Sequence, residues 1–488
     1  MLNLQKKNTK NMINDKCRKT IEFDFFKSAT KNNFHNTIED ILIWIEQIRN
    51  NTLVDIQKIP FSAMKTWYFD KENGSLNHIT GSFFKIEGIH INTNWGLKNE
   101  WEQPIINQPE IGILGILAKK IDGTLHFLLQ AKIEPGNINV VQISPTLQAT
   151  KSNYLKKHLG KSPEFIDYFI NYGKSKVLLD QLQSEQGARF LKKRNRNIII
   201  EIEENESINY GTNFKWITLR QIKELLRYDN LINMDTRTVL SGISYDFDLQ
   251  DLENVGKYIE TETNFNYVKS LFIDSYKLNS LDTILSWITN LKTKYELNTY
   301  KKSIFELKNW SVQKDIIQHD SKKYFSIIAL KVTIENREVN SWDQPMVKPE
   351  NLGIIGFIIK KINGVYHFLV QAKLEIGNFD IIELAPTVQC ITGNYRIGQN
   401  EYTVPFLEHF INPKEHEIIL KNYQSEEGGR FYNEENLNLL IQKGDDFNDP
   451  IPENYCWMTF NQLTYFIKFN NYVNISARSL ISALKLVK

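Results

Sequence analysis

Apolar and polar positions follow two rhythms along this chain. From Thr37 to Asn50 the residues Ile38, Ile41, Trp44, Ile45 and Ile48 recur at helical spacing, and Ser280 to Leu291 repeats the pattern, so each stretch is predicted to form an amphipathic helix. Gly112 to Ile121 and Thr124 to Ile133 are instead apolar, β-branched runs joined by Asp122-Gly123, and a second such pair is joined by Asn363-Gly364. These dipeptides accept the positive φ that a two-residue hairpin turn requires, so both pairs are predicted to be β-hairpins. Glu134 to Asn137 then reads as a turn, Val140 to Ile143 as a strand, Thr146 to Tyr154 as a polar loop, Ile198 to Ile202 as a strand and Arg220 to Tyr228 as a helix. The unit mixes strands and helices, an α+β class.

The same unit occurs twice. Gln130-Ala-Lys132-x-Glu134-x-Gly136-Asn137 recurs 241 residues on as Gln371-Ala-Lys373-x-Glu375-x-Gly377-Asn378. The register also matches Trp101 with Trp342, Asn153-Tyr154 with Asn394-Tyr395, Gln183-Ser184-Glu185 with Gln424-Ser425-Glu426, and Arg189-Phe190 with Arg430-Phe431. Upstream of Gly74 the offset is 243, pairing Trp44 with Trp287 and Trp67 with Trp310. A repeat of half the chain is the size of a domain, not of a solenoid unit. The expected division is therefore 1–255 and 256–488, with the charged stretch Asp246 to Asn264 as the join.

Composition narrows the function classes. With 41% hydrophobic residues in 488 the chain can build a large core, and a net charge of +2 supplies no field for nucleic acid or a membrane surface. Cys17, Cys390 and Cys456 are too few and too scattered for a disulfide framework or a zinc site, which suits a cytoplasmic location. The N-terminus, Met1 to Thr20, is polar and basic, and the longest apolar runs, Ile111 to Ala118 and Leu352 to Ile359, are too short to span a bilayer.

Candidate chemistry lies where the copies agree. Gln130, Lys132 and Glu134 alternate along one strand and so share a face. A lone Lys-x-Glu on a strand is ordinarily a solvent stripe, but its recurrence as Lys373 and Glu375 points to a shared requirement, of chemistry or of folding. The Thr146 to Tyr154 segment gathers donors able to cradle a pyrophosphate, and an ordinary polar turn would look the same. In the Gln183 to Phe190 and Gln424 to Phe431 segments a carboxylate, a glycine and an arginine suited to phosphate stand together, against the alternative of a surface turn with an ion pair. The run Lys192-Lys193-Arg194-Asn195-Arg196 is expected to be a solvated face. His126 and His367 fall mid-strand and are read as structural; His78 and His319 fall in loops without metal partners. No phosphate-binding glycine motif or metalloprotease motif follows a suitable strand.

Several of these motifs together resemble the NDP-hexose 2,3-dehydratase family: Trp101-x-Gln-Pro104 with Gln108-Pro-Glu110, Gln130 to Asn137, Ser144 to Thr150 with Ser152-Asn-Tyr154, and Gln183 to Gly187 with Lys193 to Asn197. The resemblance runs from about Thr37 to Leu484. It implies two tandem Nudix-like α/β/α-type domains formed by internal duplication, a nucleotide-sugar pocket in each, and a homodimer. The glutamate-rich box that holds Mg²⁺ in Nudix hydrolases is missing, so neither metal nor other cofactor is implied. The implied reaction removes the C2 hydroxyl of an NDP-4-keto-6-deoxyhexose, and the reactive diketo product implies hand-off to a 3-ketoreductase. The resemblance makes Glu134 or Glu375 the base, with Lys132, Lys373, Tyr154 or Tyr395 as acid or oxyanion donor. It carries nucleotide binding onto Trp67, Thr150, Lys151, Ser152, Asn153, Tyr154, Ser184 and Arg189, and onto Trp310, Thr392, Gly393, Asn394, Tyr395, Arg430 and Phe431. Pro135, Gln142, Gln186 and Ala188 become Ile376, Glu383, Glu427 and Gly429, so the two pockets are not expected to be equivalent. Two alternatives stay open, a nucleotide-sugar binding protein without catalysis and a Nudix-type pyrophosphohydrolase.

Overall fold

The structure, a computed structural model, describes residues 15–31, 35–154, 162–171, 173, 175–335, 339–391 and 404–486. Each repeat is built on a seven-stranded sheet. In the first, the hairpin strands Gly112–Ile121 and Thr124–Ile133 lie between Arg194–Glu201, parallel to the former, and Phe214–Thr218, antiparallel to the latter. In the second the same places are taken by Gly353–Ile362, Val365–Lys373, Glu435–Lys443 and Tyr455–Thr459. Both hairpins turn where expected, with φ of 49° and 67° at Asp122-Gly123 and 52° and 81° at Asn363-Gly364. These are the left-handed conformations that match the twist of the strands.

Helices seal the sheets on both faces. One face of the first sheet carries Asp15–Thr30, Leu219–Leu225 and Met234–Ser241, and the short helix Ile166–Ile170 sits on the other. There Phe169 packs so closely on Gly115 that a Cβ would lie 2.4 Å from its ring. The predicted helix Ile38–Asn50 forms behind a Thr37–Asp40 capping box and buries Ile41, Trp44 and Ile45. Ser280 caps its counterpart, Leu281–Lys294.

Beyond the polar N-terminus the segment from Asp15 is helical, and Ile21, Phe25, Phe26 and Ala29 form its buried stripe. One local expectation needs correction. The Thr146 to Tyr154 stretch is not one loop: Leu147–Ala149 pairs with the strand Gly112–Ile121, and Lys151–Tyr154 is a helical turn. Its polar residues leave the backbone free to pair, and Leu147 and Ala149 face the core.

The repeats also trade strands. Val54–Ile59, from the first repeat, pairs with Phe325–Ile334 of the second, and Leu297–Lys302, from the second, pairs with Lys85–Thr93 of the first. Each completes a five-stranded sheet that its own repeat would leave short. Gly88 permits one of these pairings, since a Cβ there would stand 2.6 Å from the Lys302 carbonyl. Between the repeats lie two sealed arginines. Arg237 donates to the Gln424 side chain at 3.0 Å and to the Ser425 carbonyl, and Arg478 donates to the Ser184 carbonyl. Each is 1% exposed or less, so its charge depends on acceptors of the other half. Among the described residues no helix is long and apolar enough to cross a membrane.

Candidate active site

A cavity of about 440 Å³ opens at the end of the first hairpin, and its walls come from both repeats. The strand Thr124–Ile133 and the turn after it deliver Lys132 and Glu134; Leu147–Ala149 delivers Gln148 beside them. The Glu134 turn is held by the other repeat: Gly136 N donates to the Gly428 carbonyl at 2.8 Å, and Asn433 N donates to the Gly136 carbonyl at 3.0 Å. Any side chain at Gly136 would collide with the Phe431 carbonyl, 1.6 Å from the Cβ position. Glycine is therefore a requirement of the contact rather than of flexibility.

Glu134 is 6% exposed. Its Oε1 accepts from Gln148 Nε2 at 3.0 Å and lies 3.8 Å from Lys132 Nζ, while Oε2 is buried without a hydrogen-bond partner. Gln148 is itself oriented by Asn233, whose Nδ2 reaches its Oε1 at 3.3 Å. A buried carboxylate oxygen with no donor is costly unless a ligand supplies one. The Lys-x-Glu pair is thus an inward-facing constellation, and the solvent stripe is excluded.

Around this pair stand ionisable groups that the sequence did not single out. Asp235, on the helix Met234–Ser241, is 2% exposed, and burial together with the Glu427, Glu185 and Glu134 charges holds its carboxyl well above the ordinary range. Lys193 also enters the cavity. Burial lowers its pKa to about 8, with Glu185 opposing the shift. The expectation of a solvated face for the Lys192–Arg196 run therefore fails at Lys193, which is 5% exposed just ahead of the strand Arg194–Glu201 and donates to the Glu110 carbonyl. Glu427 reaches in from the second repeat, beside Arg430, which the resemblance had put forward for nucleotide binding.

The outer part of the cavity is aromatic. Trp67 lines it with Phe84, their ring centroids 4.7 Å apart, and Arg430 lies over the Phe84 ring at 4.2 Å. Trp67 Nε1 donates to the Asp343 carbonyl at 2.9 Å, so the indole is anchored by the other repeat. His78 stands edge-on to Trp67 at 5.3 Å, and burial lowers its pKa. It lines the cavity, which its reading as a loop residue did not suggest. Thr150 also lines the wall, its Oγ1 buried and without a hydrogen-bond partner.

Other expected residues lie elsewhere. Ser184 donates to Glu383 Oε2 at 2.8 Å in the contact between repeats, away from the cavity wall. Ser152 is buried against Glu110, its amide donating at 3.0 Å, and Lys151 is exposed. Phe431 is a core residue stacked edgewise on Phe190 at 5.9 Å. The side chains of Asn153 and Tyr154, and all of Thr392, Gly393, Asn394 and Tyr395, lie outside the described residues.

The second repeat has the same frame with different contents. Lys373 Nζ donates to the Gln389 carbonyl at 2.7 Å, Gln389 Nε2 donates to Glu375 at 3.0 Å, and Asn474 orients Gln389 at 2.7 Å. Trp310 is anchored to the Glu102 carbonyl at 2.8 Å, and Arg189 lies over Phe325 at 4.1 Å. The positions of Lys193, Asp235 and Glu427, however, hold Glu434, Ser476 and Gln186. His126 and His367 are buried strand residues bonded to backbone, as read from the sequence.

Comparison with known proteins agrees with this geometry. The model of the family described as NDP-hexose 2,3-dehydratase matches twice, over residues 38–243 and 281–484. A dTDP-4-dehydro-6-deoxy-alpha-D-glucopyranose 2,3-dehydratase of Saccharopolyspora spinosa is 41% identical over 445 residues, 90% of each chain. Proteins of the same name from Amycolatopsis orientalis and Streptomyces violaceoruber are 39% and 40% identical, over 94% and 88% of this chain and 92% and 93% of theirs. The duplicated motifs, the cavity they line and these matches agree that the chain belongs to the NDP-hexose 2,3-dehydratase family, and is an enzyme of dehydration.

Proposed function

We propose that this chain is a carbon–oxygen hydro-lyase that removes the C2 hydroxyl of an NDP-4-keto-6-deoxyhexose, with dTDP-4-keto-6-deoxy-D-glucose as first candidate, to give a 3,4-diketo-2,6-dideoxy sugar. The carrying observation is the buried Lys132–Glu134 pair, with an undonated Glu134 oxygen, at the base of a cavity built by both repeats. The relatives' printed activity supports the choice of substrate.

The chemistry follows from the sugar. The C4 carbonyl acidifies the C3 hydrogen; a carboxylate such as Glu134 removes it, and a cation such as Lys132 stabilises the enolate at O4. The enolate then expels the C2 hydroxyl, and the resulting enol tautomerises. Trp67, Arg430 and Thr150 are suited to the base and diphosphate, offering a flat face, a cation and a free hydroxyl. We assign elimination to the first cavity, because the second replaces Lys193, Asp235 and Glu427 by Glu434, Ser476 and Gln186.

The Nudix-like ancestry is supported by the mixed sheet with helices on both faces, and the division at 255/256 by its position in the interval between the two family matches, 38–243 and 281–484. Homodimerisation and a ketoreductase partner rest on the resemblance and on the product's reactivity. The decisive experiment is mass spectrometry of the protein with dTDP-4-keto-6-deoxyglucose and EDTA, with and without a trapping reductase. Loss of one water is expected. Release of thymidine monophosphate would favour a pyrophosphohydrolase, and tight binding without conversion a binding protein; either would reject this reading.

A further inference from the structure

Glu427 is the feature of the first cavity that the base-and-donor scheme leaves unused. It belongs to the second repeat yet lines the first repeat's cavity. The backbone makes room for it: a Cβ at Gly429 would lie 2.3 Å from Glu427 Oε1 and 3.4 Å from Glu134 Oε1. The two carboxylate oxygens, contributed by opposite repeats, are therefore less than about 6 Å apart, close enough for both to reach one bound sugar. In the mirror position the first repeat has Gln186, with Ala188 where Gly429 stands. Gln186 spends its amide on Glu426, whereas Glu427 remains partly open to the cavity.

Resting on the dehydratase reading above, we propose that Glu427 is the catalytic acid that protonates the departing C2 hydroxyl, opposite Glu134 as the base. Burial, with the Glu134 and Glu185 charges, raises its carboxyl to about 7 against the pull of Arg430, so a proton is held there at neutral pH. Asp235 also lines the cavity and holds a proton, but at 2% exposed it is less open to the cavity than the half-buried Glu427.

The proton count closes. Glu134 takes the C3 hydrogen, leaving an enolate. The C2–O bond breaks as C2=C3 forms, and the hydroxide leaves as water with the Glu427 proton. Glu427, now a carboxylate, accepts the proton from O3 of the enol, and Glu134 returns its proton to C2. Both residues end as they began, and the sugar has lost one water.

The test is the full-length protein in D₂O with dTDP-4-keto-6-deoxyglucose, comparing wild type with Glu427→Gln, Glu134→Gln and Asp235→Asn. Deuterium at C3 reports the base, water loss reports the acid, and ligand binding reports folding. Glu427→Gln should still exchange the C3 hydrogen while water loss falls by about 10²-fold or more; Glu134→Gln should lose both. The 2-deoxy-2-fluoro analogue, whose fluoride departs without a proton, should eliminate in Glu427→Gln at close to the wild-type rate. The proposal is overturned if Glu427→Gln loses water within threefold of wild type, if it binds substrate but loses C3 exchange as well, or if Asp235→Asn shows the acid-deficient pattern instead. Absence of water loss in the wild type would reject the dehydratase reading itself.

Discussion

Glu383 occupies the place that Gln142 holds in the first half, and the pair shows what one atom changes at a sealed contact. Gln142 donates to Ser425 Oγ at 2.8 Å; Glu383 accepts from Ser184 Oγ at 2.8 Å, and its second oxygen has no partner. Burial raises the Glu383 carboxyl to about 7, against the lowering effects of Ser184 and Arg478. Because the folded state keeps this proton between about 4.5 and 7 and the unfolded chain does not, the residue's contribution to stability is full below that window and lost as pH rises through it. Glu383→Gln should therefore match wild type in unfolding free energy near pH 4 and exceed it at pH 8 by about 3 kcal/mol. An equal shift at both pH values would disprove the argument. At this scale the sequence was partly legible. Lys132 and Glu134 could be found because they recur two residues apart where a strand runs into its turn. Lys193 was hidden inside a basic run, and Asp235 and His78 have no counterpart in any short motif; only the fold turns them toward the cavity.

The turns after the two hairpins carry a constraint that reaches across the repeats. Gly136 and Gly377 press against the Phe431 and Phe190 carbonyls, with Cβ positions 1.6 and 1.7 Å away. Gly136→Ala or Gly377→Ala must push the repeats apart, and each should cost more than about 3 kcal/mol in urea unfolding. Gly123→Ala, which only strains a hairpin turn at φ 67°, should cost about 1 kcal/mol. Similar losses at all three sites would show that the carbonyl contact is not what selects glycine. The hairpins and capped helices were legible because their signals are local. The strand Leu147–Ala149 was not, since three residues among polar neighbours carry no period. The five-stranded sheets escaped for a related reason: Trp67–Phe69 and Leu76–His78 are three residues each, and Val54–Ile59 finds its partner nearly three hundred residues away, beyond any local pattern.

For the whole molecule, duplication was plain in the sequence, but the interdependence of the copies was not. Residues 1–255 or 256–488 expressed alone would lack one strand of a five-stranded sheet and would bury Arg237 or Arg478 without its acceptors. Each half alone should be insoluble or lack near-ultraviolet circular dichroism, while the two co-expressed as separate chains should copurify and regain dehydration. A stable, cooperatively folding single half would refute this.

The Gln424 to Phe431 segment adds a consequence for inheritance. Its glutamate at 427 and arginine at 430 serve the cavity of the opposite repeat, while Arg189 of the first repeat lies over Phe325 of the second. A chimera that joins the first half of this gene to the second half of a relative would therefore transplant one wall of a reaction chamber, not a module. A substitution in either copy is therefore felt by its sibling, as a change in one partner of a complex is felt by the other.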